Sequence, residues 1–188
     1  MPITLNGSGT VSGISAGGLP DGIIQSADLA SGVCGNTLQV VSTHKSDTFT
    51  HSTTTFTDIT GMSATITPSS SSSKILIIVD IKMAGQVNAT SAQCLLLRGS
   101  TVINLGDAAG SRTRSMGQSY YDAQTYHMAQ TGGIFLDSPN TTSATTYKLQ
   151  TKSESSGSVV YVNRTQGDRD GSEDSRGTSN IVLMEVAA

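Results

Sequence analysis

At 188 residues the chain has the length of one domain, or of one domain with an appendage, and a body of about 150 residues can bury roughly two thirds of its unfolded surface. With 53 Ser and Thr against 11 Lys and Arg and no Trp, helix formers are scarce while β-branched and turn residues abound, which predicts an all-β fold. A net charge of -3 without a local Lys/Arg cluster argues against nucleic acid as a partner, and the longest apolar run, Ile75 to Val79, is too short to insert in a membrane.

In chain order, residues 1–35 come first, with Ile3, Leu5, Val11, Ile14, Ile23 and Ile24 scattered among glycines and serines too sparsely for a core. They lack the basic start and apolar stretch of a secretory signal, and Ser26 before Ala27, Asp28 and Leu29 is an acceptable cap for one helical turn. The composition changes near Gly35, so the expected organisation is an extended segment over 1–35 and a β domain over 36–188. The domain reads as short strands: TLQVVSTHK, SATIT, SKILIIVDIKM, AQCLLLR, STVINL, QTGGIFLD, TTYKLQTK, SVVYVN and SNIVLMEVA. Between them TPSSSSS at 67–73, RGS at 98–100 and DSPNTTSA at 137–144 carry turn chemistry. That spacing predicts an antiparallel two-sheet sandwich, jelly-roll-like. In KILIIVDIKM, Ile75, Ile77, Val79 and Ile81 share one face and Leu76, Ile78, Asp80 and Lys82 the other, so its first half is expected to be buried on both sides. The closing strand opposes Ile181, Leu183 and Glu185 to Val182, Met184 and Val186.

Cys34 and Cys94 have neither metal-ligand spacing nor scaffold density and are read as free thiols. His44, His51 and His127 fit no metal motif, and GQSYY at 117–121 lacks the second glycine of a nucleophile elbow, so neither a metal, a cofactor nor a catalytic residue is expected. The densest charge lies in RTQGDRDGSEDSRG at 164–177. Asp168, Asp170, Glu173 and Asp174 invite a calcium reading, but Gly171 stands fourth in a loop begun at Asp168, where an EF-hand needs its glycine sixth. With Arg164, Arg169 and Arg176 interleaved, a self-paired solvated loop is expected, and this loop is the alternative binding surface. The first candidate is SRTRSMGQSYYDAQTYH at 111–127, because Tyr120, Tyr121 and Tyr126 are three of five tyrosines and combine an apolar face with a hydroxyl, as carbohydrate sites do. Packing of those rings in the sandwich or across a subunit interface is the competing reading. Arg112 and Arg114, two apart, are expected on one face of a strand. Sequon matches at Asn88, Asn140 and Asn163 are expected by chance in so Ser/Thr-rich a chain.

The stretches LLLRGSTVINLGDAAGSRTR, FLDSPNTTSATTYKLQTKS, VYVNRT and IVLMEVAA resemble the C-terminal domains of tail-fibre proteins of tailed bacteriophages, particularly of cyanobacterial and other aquatic hosts, over residues 37–188. GGLPDGIIQSADLASG is similar to the linking segments of such fibres. The resemblance implies a non-enzymatic virion protein in a tail fibre, attached to tail or baseplate proteins through its N-terminus and recognising a host cell-surface polysaccharide at its C-terminal domain. A homotrimer is expected, since three parallel copies of residues 1–35 would pair backbone groups and cover their scattered apolar side chains. A head fibre or capsid decoration protein is the alternative within virions, and a polysaccharide depolymerase the alternative of another class.

Overall fold

The computed structural model describes residues 37–87, 91–119 and 124–188. The expected attachment segment at 1–35, with Cys34, lies outside the described residues, as do Asn88, Tyr120 and Tyr121.

The described residues form eleven strands and no helix: β1 Thr37–Lys45, β2 Phe49–His51, β3 Thr57–Ile66, β4 Lys74–Gly85, β5 Ala92–Arg98, β6 Thr101–Ile103, β7 Gly117–Ser119, β8 Ala129–Asp137, β9 Thr145–Ser153, β10 Val160–Val162 and β11 Ser179–Val186. They make two antiparallel sheets. One has the order β1-β11-β4-β10-β2 with β8 also on β4; the other has β3-β9-β5-β6 with β7 also on β5.

Register reduces each sheet to four columns. β11 pairs with Lys74–Asp80 of β4 and β10 with Met83–Gly85 of the same strand, so the two are successive pieces of one column. β1 on β11 and β2 on β10 form the column outside it, while β8 runs along the other edge of β4. In the second sheet β6 and β7 pair with opposite halves of β5 and share a column. With the split columns joined, the sheets read β1-β11-β4-β8 and β3-β9-β5-β7, and the chain crosses between them in the order of a jelly roll.

Between the sheets lie Ile75, Ile77, Val79, Ile81 and Met83 of β4 and Ile181 and Leu183 of β11, packed with Met62, Ala64 and Ile66 of β3, Cys94 and Leu96 of β5, and Tyr147 and Leu149 of β9. The period-two alternation of these strands puts one apolar row inward, and each fully buried Ile or Leu contributes roughly 1.5–3 kcal/mol. Cys94 is a free buried thiol, and burial pushes its pKa up to about 12. At Gly132 an added Cβ would stand 2.0 Å from the carbonyl oxygen of Val79, so β8 approaches β4 only because this residue has no side chain. Gly99 takes φ 57° in the two-residue turn from β5 to β6.

Three local expectations are corrected. It is the end of β4, Met83 to Gly85, where β10 pairs with it, that is buried on both faces, whereas Leu76 and Ile78 are only half-buried. β3 begins at Thr57 rather than in SATIT, because a bulge between Asp58 and Ser63, with Gly61 at φ 80°, interrupts the alternation. Arg112 and Arg114 lie on an irregular loop rather than a strand. Asn104 at φ 54° turns the chain out of β6, and each arginine then binds its own loop, Arg112 Nη1 donating to Ala109 O (3.2 Å) and Arg114 Nε to Gly106 O (2.6 Å).

Candidate functional site

The crossover pattern sends the connections β1 to β3, β4 to β5, β7 to β8 and β9 to β11 out of the same end of the sandwich. Their backbones and side chains are tied together there. Gly167 N donates to Thr125 O (2.8 Å), Val159 N to Gln86 Oε1 (3.0 Å) and Ser153 N to Thr53 O (2.9 Å).

Asn163 is the centre of this end. It follows β10, takes φ 60° and is fully buried, so the chain leaves the sheet at this residue while its side chain stays inside. Its amide donates to Lys45 O (2.9 Å) and Asp47 O (3.0 Å), and its side-chain oxygen accepts from the Ser179 hydroxyl. One side chain thus fills the break between β10 and β11 and the neighbouring break between β1 and β2. The sequon match at Asn163 is a structural asparagine with both amide hydrogens engaged.

Beyond Asn163 the charged loop folds onto itself, as expected. An isolated bridge joins Arg164 to Arg176. Asp168 accepts from Arg176 through Nη2 (2.8 Å) and through Nε, and pairs with Arg164 at 3.2 Å. Asp174 accepts from the Thr165 hydroxyl and from Arg169 Nε (2.7 Å), and Glu173 lies 3.3 Å from Arg169. The Thr165 hydroxyl first, and Arg169 with it, hold the Asp174 carboxyl below its ordinary range. The Arg164 guanidinium stands 5.0 Å over the Tyr161 ring. Asp168, Arg169, Asp170, Asp174, Ser175 and Arg176 line a shallow hollow of about 310 Å³. The Asp168 and Asp174 carboxylates are committed to arginines, and no group of three or more His, Cys, Asp or Glu among the described residues could hold a metal.

Tyr126 shares this end. Its ring meets His127 edge-on at 4.8 Å, it is 37% exposed, and its chain neighbour Thr125 is the acceptor for Gly167. Of the first candidate surface, Tyr126 therefore stands beside the alternative one, the paired arginines and carboxylates of 164–177, while Tyr120 and Tyr121 lie outside the described residues. Next to it Met83, Ala84, Gly85, Gln124, His127, Met128 and Ala129 line a cleft of about 230 Å³, which no sequence motif announced. Arg112 and Arg114 are not part of this loop cluster. The histidines are not brought together either: His44 meets Asn180 (2.8 Å) and His51 meets Thr53. Burial lowers the His51 pKa, and its Nδ1 accepts from Thr53 N, which places the proton on Nε2.

No family model matches the chain, and no curated protein does. Among solved structures it is similar to a chain of the T=1 particles derived from infectious bursal virus, with 14% identity and a TM-score of 0.35 over 80% of this chain and 36% of that one. The protein thus spans about a third of that chain's length, and at this similarity the match assigns neither a family nor an activity.

Proposed function

We propose that the protein is a non-enzymatic structural component of a virion, a trimeric tail fibre attached to tail or baseplate proteins through its N-terminal segment. The sandwich recognises a cell-surface polysaccharide of the host with the loop end just described. The reading draws on the sequence resemblance over 37–188 and on one structural observation above all: the loop carrying Tyr126 and the loop 164–177 are hydrogen-bonded to each other on one exposed end. A sugar ring stacks on a tyrosine face while arginine and carboxylate side chains address its hydroxyls, and such shallow polar surfaces bind by repetition rather than by enclosure.

The test is adsorption of the purified protein to host cells and to their isolated polysaccharide. Tyr126→Ala is expected to weaken binding about tenfold per site, with a steeper loss for the trimer, and Asp170→Ala to weaken it less. Polysaccharide recovered after incubation keeps its length. Binding unaltered in both variants removes the loop end as the recognition surface, and shortened chains replace a binder with a depolymerase.

A further inference from the structure

The outer faces of the two sheets are finished differently. On the second sheet Leu95 and Leu97 of β5 are buried although they point away from the core; their partners on β9, Gln150 and Lys148, reach across to Asp58 (both 2.7 Å), and long polar stems flank the apolar row. On the first sheet nothing comparable among the described residues closes the face. Register aligns Val40, Met184, Leu76 and Leu136 in one row across all four columns, and Ser42, Val182, Ile78 and Ile134 in the next. Leu38, in the bulge of β1, and Val186 continue the patch. Ile134 is 70% exposed, Val40 56%, and Leu38 and Leu136 50% each.

The two edges of this face are the most exposed part of it. Residues 37–44 of β1 and 129–136 of β8 contain no charged side chain, whereas sheet edges facing water are ordinarily guarded by lysine or other charges. An unguarded apolar edge on both sides is the signature of a face that is covered.

We infer that this face is the contact between copies of this chain within the proposed trimer, a reading that rests on that proposal. Four columns at about 4.8 Å make a face roughly 19 Å wide, and three such faces turned to a common axis enclose a prism whose centre lies about 5.5 Å from each wall. That is about half the ~10 Å at which packed sheets interdigitate, so the side chains of three copies fill the prism without a channel. Along the strands the face runs roughly 30 Å, so each copy offers roughly 570 Å² of projected area divided between two neighbours, with an apolar centre and a polar margin at His44, Asn180 and Asp80. Thr37, where the N-terminal segment joins β1, shares the next row with Val186 and the exposed Lys74, so this packing gathers the three joins at one end of the axis.

Sedimentation of the full chain across a dilution series tests this, with wild type beside the double variant Val40→Glu/Ile134→Glu. Both positions are exposed in the single chain, so the variant keeps its circular dichroism and melts like the diluted wild-type monomer. Its trimer dissociation constant rises by about a hundredfold or more, because carboxylates would be desolvated in the contact. A wild-type trimer with an unchanged constant in the variant overturns the inference and leaves the trimer standing. A wild-type monomer overturns both. Should the double variant fail to fold, Ile134→Cys in a Cys34→Ser background decides: maleimide labelling at least about tenfold slower in the trimer than in the diluted monomer supports the contact, and equal rates overturn it.

Discussion

The two ends of the sandwich handle charge in opposite ways. Where β4 begins, carboxylates are taken inside. Glu185 and Asp137 both face Ile75, one from each neighbouring strand. Glu185 is fully buried and accepts from Gln39 Nε2 (2.6 Å), Ser69 N (2.7 Å) and the Ser69 hydroxyl (2.6 Å). Asp137, nearly as buried, accepts from Arg98 Nη1 at 2.8 Å to both oxygens and from the Tyr147 hydroxyl (2.7 Å). Arg98 and Tyr147 belong to the other sheet, so this carboxylate locks the sheets together. Where β4 finishes, the charges of 164–177 pair among themselves, and what is buried beside them is the neutral Asn163 and a cation, Lys45, whose Nζ donates to Asp47 (2.8 Å). Internal charge holds shape and surface charge is free for recognition, because a buried carboxylate must keep all its donors while a solvated pair can exchange one.

The contrast is tested most severely at Glu185. Glu185→Ala removes a fully buried carboxylate together with its charge-assisted hydrogen bonds from Gln39 and Ser69, and is expected to cost about 3 kcal/mol in urea unfolding. The same carboxylate carries a pH signature. Burial raises its pKa, but the hydrogen bonds from Gln39, Ser69 and Ser73 outweigh that and hold it at about 2 instead of 4.5. Because the folded value lies below the unfolded one, this contribution is intact above about pH 4.5 and is lost as pH falls toward about 2. Glu185→Gln flattens the stability slope in that window, and an unflattened slope assigns the acid sensitivity elsewhere.

Tyr147→Phe is the intermediate case. It deletes one donor while Arg98 still satisfies Asp137, so calorimetry should register a loss of about 1–2 kcal/mol. In the variant, one tyrosine whose hydroxyl is held above its ordinary range by burial, and further by Asp137, disappears from a spectroscopic alkaline titration. Arg176→Ala belongs to the other end and is the smallest: Asp168 keeps Arg164, and the melting temperature shifts by no more than about 2 °C. A loss there as large as at Glu185 erases the distinction between the ends.

Much of the fold was legible because periodicity reports burial directly. TLQVVSTHK and AQCLLLR are β1 and β5 to the residue, and Ile75, Ile77, Val79 and Ile81 are the inward row. FTH and GQS were not legible, since three residues carry no period and these strands exist only through partners far away in sequence. The alternation of the last strand put Glu185 on the same face as Leu183, but not the cage around it. Ser69 in the serine run and Gln39 in β1 reach it only once the jelly roll closes. At the loop end the self-pairing of 164–177 followed from alternating charge, whereas its union with Tyr126 depends on a backbone hydrogen bond that composition cannot encode.

The split column of β6 and β7 bears on how the protein can be altered. Each piece is registered on β5 by its own hydrogen bonds, so the stretch from Gly106 to Ser111 between them sets no register. Lengthening such a connection costs only about 0.6 kcal/mol per doubling. A foreign peptide grafted between Asp107 and Gly110 is therefore expected to leave both sheets undisturbed, which makes this loop a display site.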